Sequence, residues 1–405
     1  MKTASISSAT AFGASMSPVS ANAGAASPNP PGSQTAAPPA PALPPQELPA
    51  PPDRQPPGLE LPPVIKNKVG WAIVGLGKLA LDEIMPSFGG CQYSKPTALV
   101  SGHPDKALQV AQAYGMPEKN IYNYQNFDTI RENPEIEAVY IVLPNSMHAE
   151  YTIRALRAGK HVLCEKPMAA TVDECRQMIA ASKETGGKLS IAYRLHYEPL
   201  NRKVMEICEA KTMGQLKLFT SSNCQNVEMP NIRLSALLAG GPVGDVGVYS
   251  INAARYVINE EPVEVFAVQH KPSDDPRFSE VPESVAFTLR YPSGVIAQCV
   301  CSFGSAGSQR YEAIFDQGII VMDPAFPYRG LNLTVSRPEG PLKSAETADI
   351  EIKQINHFAA EMDHFSQCII NNTVTRTPAG MGLADMKIIA AIVESAASGK
   401  PVELT

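Results

Sequence analysis

Three side chains in different parts of the sequence are of the types needed for proton and hydride chemistry. Lys166 lies in a Glu-Lys-Pro run, and Asp245 and Tyr249 lie four residues apart in a later glycine-containing stretch. On a helix, that spacing places the carboxylate and the phenol on one face. A phenol titrates near ~10 in water, so proton transfer at neutral pH needs a neighbouring cation, which Lys166 could supply. The alternatives are a surface lysine beside Glu165 and a core tyrosine with a bonded hydroxyl.

A glycine fingerprint indicates where a nucleotide would bind. Residues 75–80 read Gly-Leu-Gly-Lys-Leu-Ala and follow the apolar run at 71–74. In this spacing the first glycine permits a tight turn, the second lets a pyrophosphate approach the backbone, and the small alanine allows the helix to pack on the strand. The alternative is a bare structural turn. Because a strand pattern precedes it and a helical pattern follows, we predict a dinucleotide site that includes Gly75, Leu76, Gly77, Lys78 and Leu79.

The end of the next strand favours NADP over NAD. An NAD enzyme normally places Asp or Glu roughly 20 residues beyond the glycines, where it binds the ribose 2′-hydroxyl. This sequence has Ser101-Gly102 at that strand end, followed by Lys106. A hydroxyl can hydrogen-bond a 2′-phosphate and an ammonium can neutralise it, although Lys106 could also be a solvated helix residue. We expect Tyr124 to contribute to the same nucleotide site.

Two further strand ends point to the same edge of the sheet. The run Leu143-Pro144-Asn145 with His148 ends one strand, and Glu165-Lys166 ends the next. In open α/β sheets, ligands bind at the carboxyl ends of the strands, so we assign all of these residues to the cofactor site. The alternative for His148 is a helix N-terminal residue whose hydrogen bonds are already satisfied.

The elements that must position these residues form two patterns. From Val64 to about residue 192, short apolar runs alternate with amphipathic helical stretches, which predicts a doubly wound parallel sheet of the Rossmann type. From 193 to 405 the segments are longer and alternate in polarity (KLFTSSNC, VEVFAVQH, SVAFTLRY, VIAQCVCSF, AIFDQGIIVMD and LNLTVS), which predicts a large, mostly antiparallel sheet. The fold class is therefore α/β followed by α+β.

The N-terminal residues differ in composition from the rest of the chain. Between residues 28 and 63 there are 15 prolines in 36 residues, a composition that favours extended polyproline II over a packed core. Composition alone favours a spacer, and the alternative is an arm that lies along another surface. Residues 1–27 weakly resemble a secretory leader, without a twin-arginine pair.

Composition excludes several function classes. The chain has 405 residues, 44% hydrophobic and 18% charged, and a formal net charge of −6, as expected for a soluble globular protein. No uncharged stretch is apolar enough to span a bilayer. There is no Lys/Arg cluster for nucleic acid and no Cys/His spacing for a metal. We therefore expect no membrane, nucleic-acid or metal partner.

Taken together, the motifs resemble those of a known family. GLGKLA, LPNSMHAE, GKHVLCEKPMA, AYRLHYEPLN and the AGG…DVGVYSIN run are similar to the glucose-fructose oxidoreductase/inositol dehydrogenase/rhizopine catabolism (Gfo/Idh/MocA) family, from about residue 64 to 402. Within it, the branch of glucose-fructose and aldose-aldose oxidoreductases is most similar. Most members of the family carry His at the position of Tyr249, whereas that branch carries Tyr, as this sequence does. Pro242 and Val243 depart from the family's usual Gly-Gly-Ser or Gly-Gly-Ala run, which bears on which sugar fits.

The resemblance implies roles for individual residues. It implies that Lys166, Asp245 and Tyr249 are catalytic, with the tyrosine as the acid/base, and that all three also bind substrate. It also places Arg194, His196 and Arg233 near the sugar, Arg194 being a candidate for the cofactor site as well, and Lys78, Ser101 and Lys106 near the nucleotide phosphates. The proline-rich arm would embrace a neighbouring subunit of a homo-oligomer, a dimer or tetramer. A periplasmic location is implied, or a cytoplasmic one if residues 1–27 are not an export signal.

The expected activity is transfer of hydride between sugars. An aldose would be oxidised at C1 to the lactone, and a second sugar carbonyl would be reduced to the alditol by the same tightly bound NADP in a ping-pong cycle. One alternative is an aldose dehydrogenase with exchangeable NADP. Others are an NAD-dependent glycosidase on the same fold and a noncatalytic NADP-sensing regulator.

Overall fold

The computed structural model describes residues 67–338 and 345–404, which belong to one folded unit. The leader at 1–27 and the proline-rich arm at 28–63 lie outside the described residues. In the described part, the first sheet has six strands in the order β3-β2-β1-β4-β5-β6, and every adjacent pair is parallel. The strands are β1 (Val69–Val74), β2 (Ser94–Val100), β3 (Ile121–Tyr122), β4 (Ala138–Ile141), β5 (His161–Cys164) and β6 (Leu189–Ile191). This confirms the predicted Rossmann-type sheet.

Helices cover both faces of the first sheet. All six residues of β1 are buried, as expected for a strand with helices on both sides. After the glycine loop, residues Ala80–Ile84 form a π-helical turn that continues into a short helix. The best-defined start is that of α4, where Thr171 and Glu174 form a reciprocal capping box. These helices are α1 (Met85–Ser87), α2 (Pro104–Ala113), α3 (His148–Arg157) and α4 (Val172–Thr185).

In the described part, the second sheet has nine strands in the order β14-β13-β12-β11-β7-β10-β9-β8-β15. Its pairs are antiparallel except for β7 with β10, so the mostly antiparallel sheet is confirmed. The strands are β7 (Leu216–Asn226), β8 (Glu264–His270), β9 (Ser284–Arg290), β10 (Ile296–Ser302), β11 (Gly304–Phe315), β12 (Gly318–Met322), β13 (Leu333–Pro338), β14 (Ala345–Asp349) and β15 (Val402–Glu403).

The run AIFDQGIIVMD, expected to be one strand, is a hairpin. It contains the end of β11, a turn at Asp316–Gln317 and the whole of β12. The Asp316 carboxylate accepts a hydrogen bond from the backbone N–H of Gln215, which fixes the turn against the start of β7. Apolar residues on both sides of the turn explain why periodicity alone did not separate the two strands.

Four helices accompany the second sheet, and α7 returns to the first. The indole N–H of Trp71 in β1 donates to Ser366 Oγ in α7 at 3.1 Å. The Asp363 carboxylate of α7 accepts hydrogen bonds from the N–H groups of Gln92 and Tyr93 and from the Ser94 hydroxyl. These helices are α5 (Pro199–Glu209), α6 (Val248–Ile258), α7 (His357–Ile370) and α8 (Ala379–Ser398). The described helices include none with both the length and the apolar character needed to cross a bilayer.

Candidate active site

The glycine loop contains one glycine in a crowded position with positive φ and one that faces open space. Gly75 has φ +97°, and an added Cβ would lie 2.4 Å from the Val142 carbonyl oxygen. At Gly77 an added Cβ would meet no atom within 4 Å, and the residue is exposed. The helical segment begins directly afterwards, with Leu79 half-buried and Lys78 exposed. The loop therefore has room for a pyrophosphate beside exposed backbone, as a dinucleotide requires.

The predicted 2′-phosphate residues lie beside this loop. Lys106, in the first turn of α2, donates from Nζ to the Leu76 carbonyl at 3.4 Å. Ser101 is buried, and its hydroxyl oxygen accepts a hydrogen bond from the His103 N–H at 3.0 Å. Gly102 lies close to the Tyr124 ring, which an added Cβ would approach to 3.1 Å. The structure thus brings these side chains together at the end of β2, where the exposed ammonium can meet a phosphate.

His148 is placed differently from the prediction of a cofactor contact. It is fully buried, and its two ring nitrogens lie 2.8 Å from the Pro167 carbonyl and 2.9 Å from the Leu143 carbonyl. Burial lowers the pKa of His148. With both nitrogens engaged by backbone, His148 joins the loops after β4 and β5. In the same loop, half-buried Pro144 precedes Asn145, whose amide donates to the Ala239 carbonyl at 2.8 Å.

Lys166 brings the two halves of the site together. Its Nζ donates to the Asp245 main-chain oxygen at 2.9 Å, lies 3.5 Å from Asp245 Oδ1, and is 4.6 Å from the centroid of the Tyr249 ring. Burial alone would lower the pKa of Lys166, but Tyr249, Asp245 and Glu165 outweigh it, and the net pKa is raised. The ammonium group is therefore held charged beside the phenol.

The Asp245 carboxylate is fixed by three partners. It lies in the π-helical turn Val243–Gly247 that leads into α6. Besides Lys166, Arg233 Nε donates to Oδ2 at 2.7 Å and Gln225 Nε2 at 3.3 Å. Burial would raise the pKa of Asp245, but Lys166 and Arg233 outweigh it and hold that pKa below its usual value. The contact from Gln225 was not predicted, because a glutamine in an alternating strand has no distinguishing spacing.

Tyr249 lies one turn further along, in α6. Its ring also contacts the Arg194 guanidinium, whose Cζ is 5.2 Å from the ring centroid, and the Phe326 ring at 5.8 Å. Within residues 67–338 and 345–404, its hydroxyl makes no hydrogen bond to protein. A cavity beside it is lined by Lys166, Tyr193, Leu195, Val248, Tyr249, Asn252 and Tyr256.

Arg194 is a packing and anchoring residue in this structure. Its guanidinium is buried and donates to the carbonyls of Phe326 at 2.5 Å and Pro327 at 3.2 Å. Its Cζ lies 4.6 Å from the centroid of the Tyr328 ring. Tyr328 was not among the site residues predicted from the sequence. Burial raises the pKa of Tyr328 to about 12. Arg194 therefore holds the loop with Tyr328 against Tyr249, and its NH1 and NH2 groups are already committed to that loop.

His196 lies behind the cavity and does not line it. It is buried, its Nε2 lies 2.8 Å from Asn252 Oδ1, and the Asn252 amide donates to Asp385 at 3.0 Å. Burial lowers the pKa of His196 to about 4, so the ring is neutral near neutral pH. Of the residues expected near the sugar, the structure therefore groups Lys166, Arg233, Asp245 and Tyr249 most directly, and His196 reaches the cavity only through Asn252.

Comparison with known protein families divides the chain into the same two parts as the two sheets do. A family model described as the oxidoreductase family with an NAD-binding Rossmann fold matches residues 69–193, and one described as the GFO/IDH/MocA C-terminal domain matches residues 201–321. The two matches follow the division between the parallel sheet and the antiparallel sheet.

Individual relatives extend over most of the chain. The D-xylose 1-dehydrogenase [NADP(+)] of Haloarcula marismortui is 30% identical over 84% of this chain and 94% of its own length. A second D-xylose 1-dehydrogenase (NADP(+)), from Haloferax volcanii, is 28% identical over 82% of this chain and 99% of its own length. The crystal structure of aldose-aldose oxidoreductase from Caulobacter crescentus, complexed with glycerol, matches with a TM-score of 0.80 and 39% identity, covering 84% of this chain and 100% of that one.

Proposed function

Because this chain belongs to the GFO/IDH/MocA family of oxidoreductases, we propose that it oxidises an aldose at C1 to the lactone and reduces a second sugar carbonyl with the same bound NADP. It is an NADP-dependent sugar oxidoreductase. The observation that carries the finer proposal is the meeting of Lys166, Asp245 and Tyr249. Lys166 comes from the loop after β5, and Asp245 and Tyr249 come from the start of the α6 segment, so three groups surround the space where a sugar oxygen would lie.

The proposed proton transfer uses the phenol and the ammonium. As C1 loses hydride, the Tyr249 phenolate takes the proton of the anomeric hydroxyl and becomes the neutral phenol, and the Lys166 ammonium stabilises the negative charge that develops on oxygen. Bound NADP supplies the acceptor for the hydride. In the second half-reaction Tyr249 returns the proton to the oxygen of the carbonyl being reduced. A raised pKa of Lys166 suits this role, because the group stays charged throughout.

Residues around the first-sheet edge would hold the cofactor. The open space at Gly77 fits a pyrophosphate, and exposed Lys106 fits a 2′-phosphate. Exposed Lys78 and half-buried Tyr124 lie at the same edge. We assign the positioning of the nucleotide to these residues together with the loop at 143–145. We also propose that the chain forms a homo-oligomer in which neighbouring subunits exchange their N-terminal arms.

The sugar would be oriented by the carboxylate of Asp245. Because Arg233, Gln225 and Lys166 fix that carboxylate, its remaining lone pairs can accept hydrogen bonds from sugar hydroxyls in a defined direction. Half-exposed Arg233 reaches solvent at the mouth of the site. These contacts would decide which hydroxyl pattern is accepted.

Spectra of the purified protein test the proposal. If the cofactor is retained, its absorbance copurifies, glucose converts it to the reduced form without NADPH in the filtrate, and a ketose or aldose acceptor reverses the change. The relatives that are xylose dehydrogenases favour one alternative, a dehydrogenase with exchangeable NADP. Stoichiometric release of NADPH into the filtrate would establish that alternative and exclude the two-sugar cycle.

A further inference from the structure

A buried carboxyl group behind the site takes no part in the proposed mechanism. Glu361, in the first turns of α7, is fully buried, and neither carboxyl oxygen has a hydrogen-bond partner among the described residues. An ionised carboxylate in such a place would lose its hydration without gaining hydrogen bonds in return, which strongly disfavours the charged form. A neutral carboxylic acid avoids most of that penalty.

A second carboxyl group lies next to it. The Tyr140 hydroxyl, from β4, donates to Glu165 Oε1 at 2.8 Å, and Glu165 Oε2 accepts from the Lys166 N–H at 3.2 Å. Tyr140 and Glu165 both interact electrostatically with Glu361, so the two carboxyl groups belong to one buried cluster. Two carboxyl groups that share a buried site cannot both ionise easily.

The charged and titratable groups that face Glu361 come from three other elements. They are Tyr140 of β4, Glu165 after β5, and Arg194 and Tyr197 in the single turn after β6. Burial and the Glu165 charge raise the pKa of Glu361 well above its usual value. Burial also raises the pKa of Glu165, although Lys166 and Tyr140 oppose that shift. Arg194 also opposes the shift at Glu361, but of the two carboxyl groups Glu165 is the one with hydrogen bonds that suit the ionised form.

The proton on Glu361 decides the charge of the whole cluster. Lys166, Arg194 and Arg233 bring positive charges, and Asp245 and Glu165 bring negative ones. With Glu361 neutral, one positive charge is in excess, and an oxyanion forming near Tyr249 would be stabilised. With Glu361 ionised, that excess is cancelled and a buried charge is left without hydrogen bonds.

We propose that Glu361 is a positioning residue that holds a proton in the working enzyme and keeps Glu165 as the charged carboxylate behind Lys166. When Glu361 ionises, the enzyme loses activity. The catalytic consequence rests on the proposed function, whereas the protonated state of Glu361 does not. In the wild-type protein, kcat falls on the alkaline side by about tenfold per pH unit once the group has lost its proton.

Two neutral variants test the proposal. In Glu361→Gln and Glu361→Met, the ratio of kcat at alkaline pH to kcat at neutral pH rises, and the alkaline limb moves up to where Lys166 loses its proton. The second variant, with an apolar side chain of similar length, serves if the first does not fold. Glu209→Gln, an exposed position in α5, is the matched control and leaves the profile unchanged. An alkaline limb that stays in place in both Glu361 variants would overturn the proposal.

A measurement without turnover separates this proposal from the proposed function. Infrared difference spectra between neutral and alkaline pH should show a protonated carboxyl band in the wild type that shifts in D2O and is missing from the Glu361 variants. The Glu165→Gln variant should retain the band to the same or a lower pH, because removing the second carboxylate eases ionisation of the first. Absence of the band from the wild type at neutral pH would show that Glu361 is ionised and the inference wrong, whatever sugars the enzyme uses.

Discussion

At the scale of single residues, the ammonium group of Lys166 links a carboxylate and a phenol that come from another part of the chain. It donates to the backbone oxygen of Asp245 and lies against the face of the Tyr249 ring. A charge held by neighbours of opposite sign needs little rearrangement when negative charge develops on a substrate oxygen.

Tyr249→Phe tests the proton-transfer role. Removing the hydroxyl should reduce kcat by at least ~10², the usual contribution of a positioned acid or base, while NADP binding is kept. Steady-state kinetics and a fluorescence titration with NADPH measure the two effects. Tyr114→Phe, at an exposed position, is the control. Turnover equal to wild type in Tyr249→Phe would remove this residue from the mechanism.

Lys106→Ala tests the choice of cofactor. The ammonium at the end of β2 can neutralise the 2′-phosphate, which NAD lacks, so the variant should lose affinity for NADP and change little toward NAD. Dissociation constants for both nucleotides measure the difference, and Lys183→Ala, exposed in α4, is the control. Equal weakening of both nucleotides contradicts the assignment.

The residues that could be predicted are those with a fixed chemical partner or spacing. Lys166 follows a strand in a recognisable run, and Asp245 and Tyr249 share a helical face at four-residue spacing. Gln225 and Tyr328 could not be found in the same way. The first lies in an alternating strand and the second in a proline-containing loop, and neither setting has a periodicity that marks a site.

At the scale of elements, the turn between β1 and the following helix decides whether a nucleotide can bind. Gly75 meets the Val142 carbonyl and has positive φ, whereas Gly77 faces open space. Gly75 is therefore required by the backbone, whereas Gly77 leaves the space in which we propose that the cofactor binds.

Matched alanine substitutions separate these two roles. Gly75→Ala should lower the free energy of unfolding by on the order of 1–3 kcal/mol, because the added Cβ is strained at positive φ and collides with backbone. Gly77→Ala should leave stability within about 0.5 kcal/mol of wild type and weaken NADP binding. Urea unfolding and NADPH titration measure both. Equal stability of the two variants would contradict this division.

Most strands could be predicted, and two of the exceptions have a common cause. Buried parallel strands such as β1 are short apolar runs between helical patterns, and that contrast is strong. The first half of β11 is rich in Gly and Ser and β14 contains no large apolar residue, so neither was expected. Both pair with neighbouring strands, which supply the hydrogen bonds that sequence periodicity does not report.

At the scale of the whole molecule, buried neutral histidine makes stability depend on pH. The pKa of His196 falls from 6.5 to about 4 because the ring is buried. Below 6.5 the unfolded chain binds a proton that the folded chain does not, so stability from this group is lost as pH falls toward about 4. His196→Gln should reduce the slope of unfolding free energy in this window by up to about 1.4 kcal/mol per pH unit. Urea titrations at several pH values measure this slope, and His103→Gln, at an exposed position, is the control. A slope in His196→Gln equal to that of the wild type would contradict the prediction.

The return of α7 to the first sheet has a consequence for how the protein is made. Trp71 near the start of the described chain hydrogen-bonds Ser366, 295 residues later, and Phe365 packs against the same indole. A ribosome must therefore synthesise the chain as far as α7 before the first sheet receives this covering layer. A fragment that ends after β6 would lack α7 and would expose that surface of the first sheet to water. This side of the sheet is therefore covered only after α7 has been made.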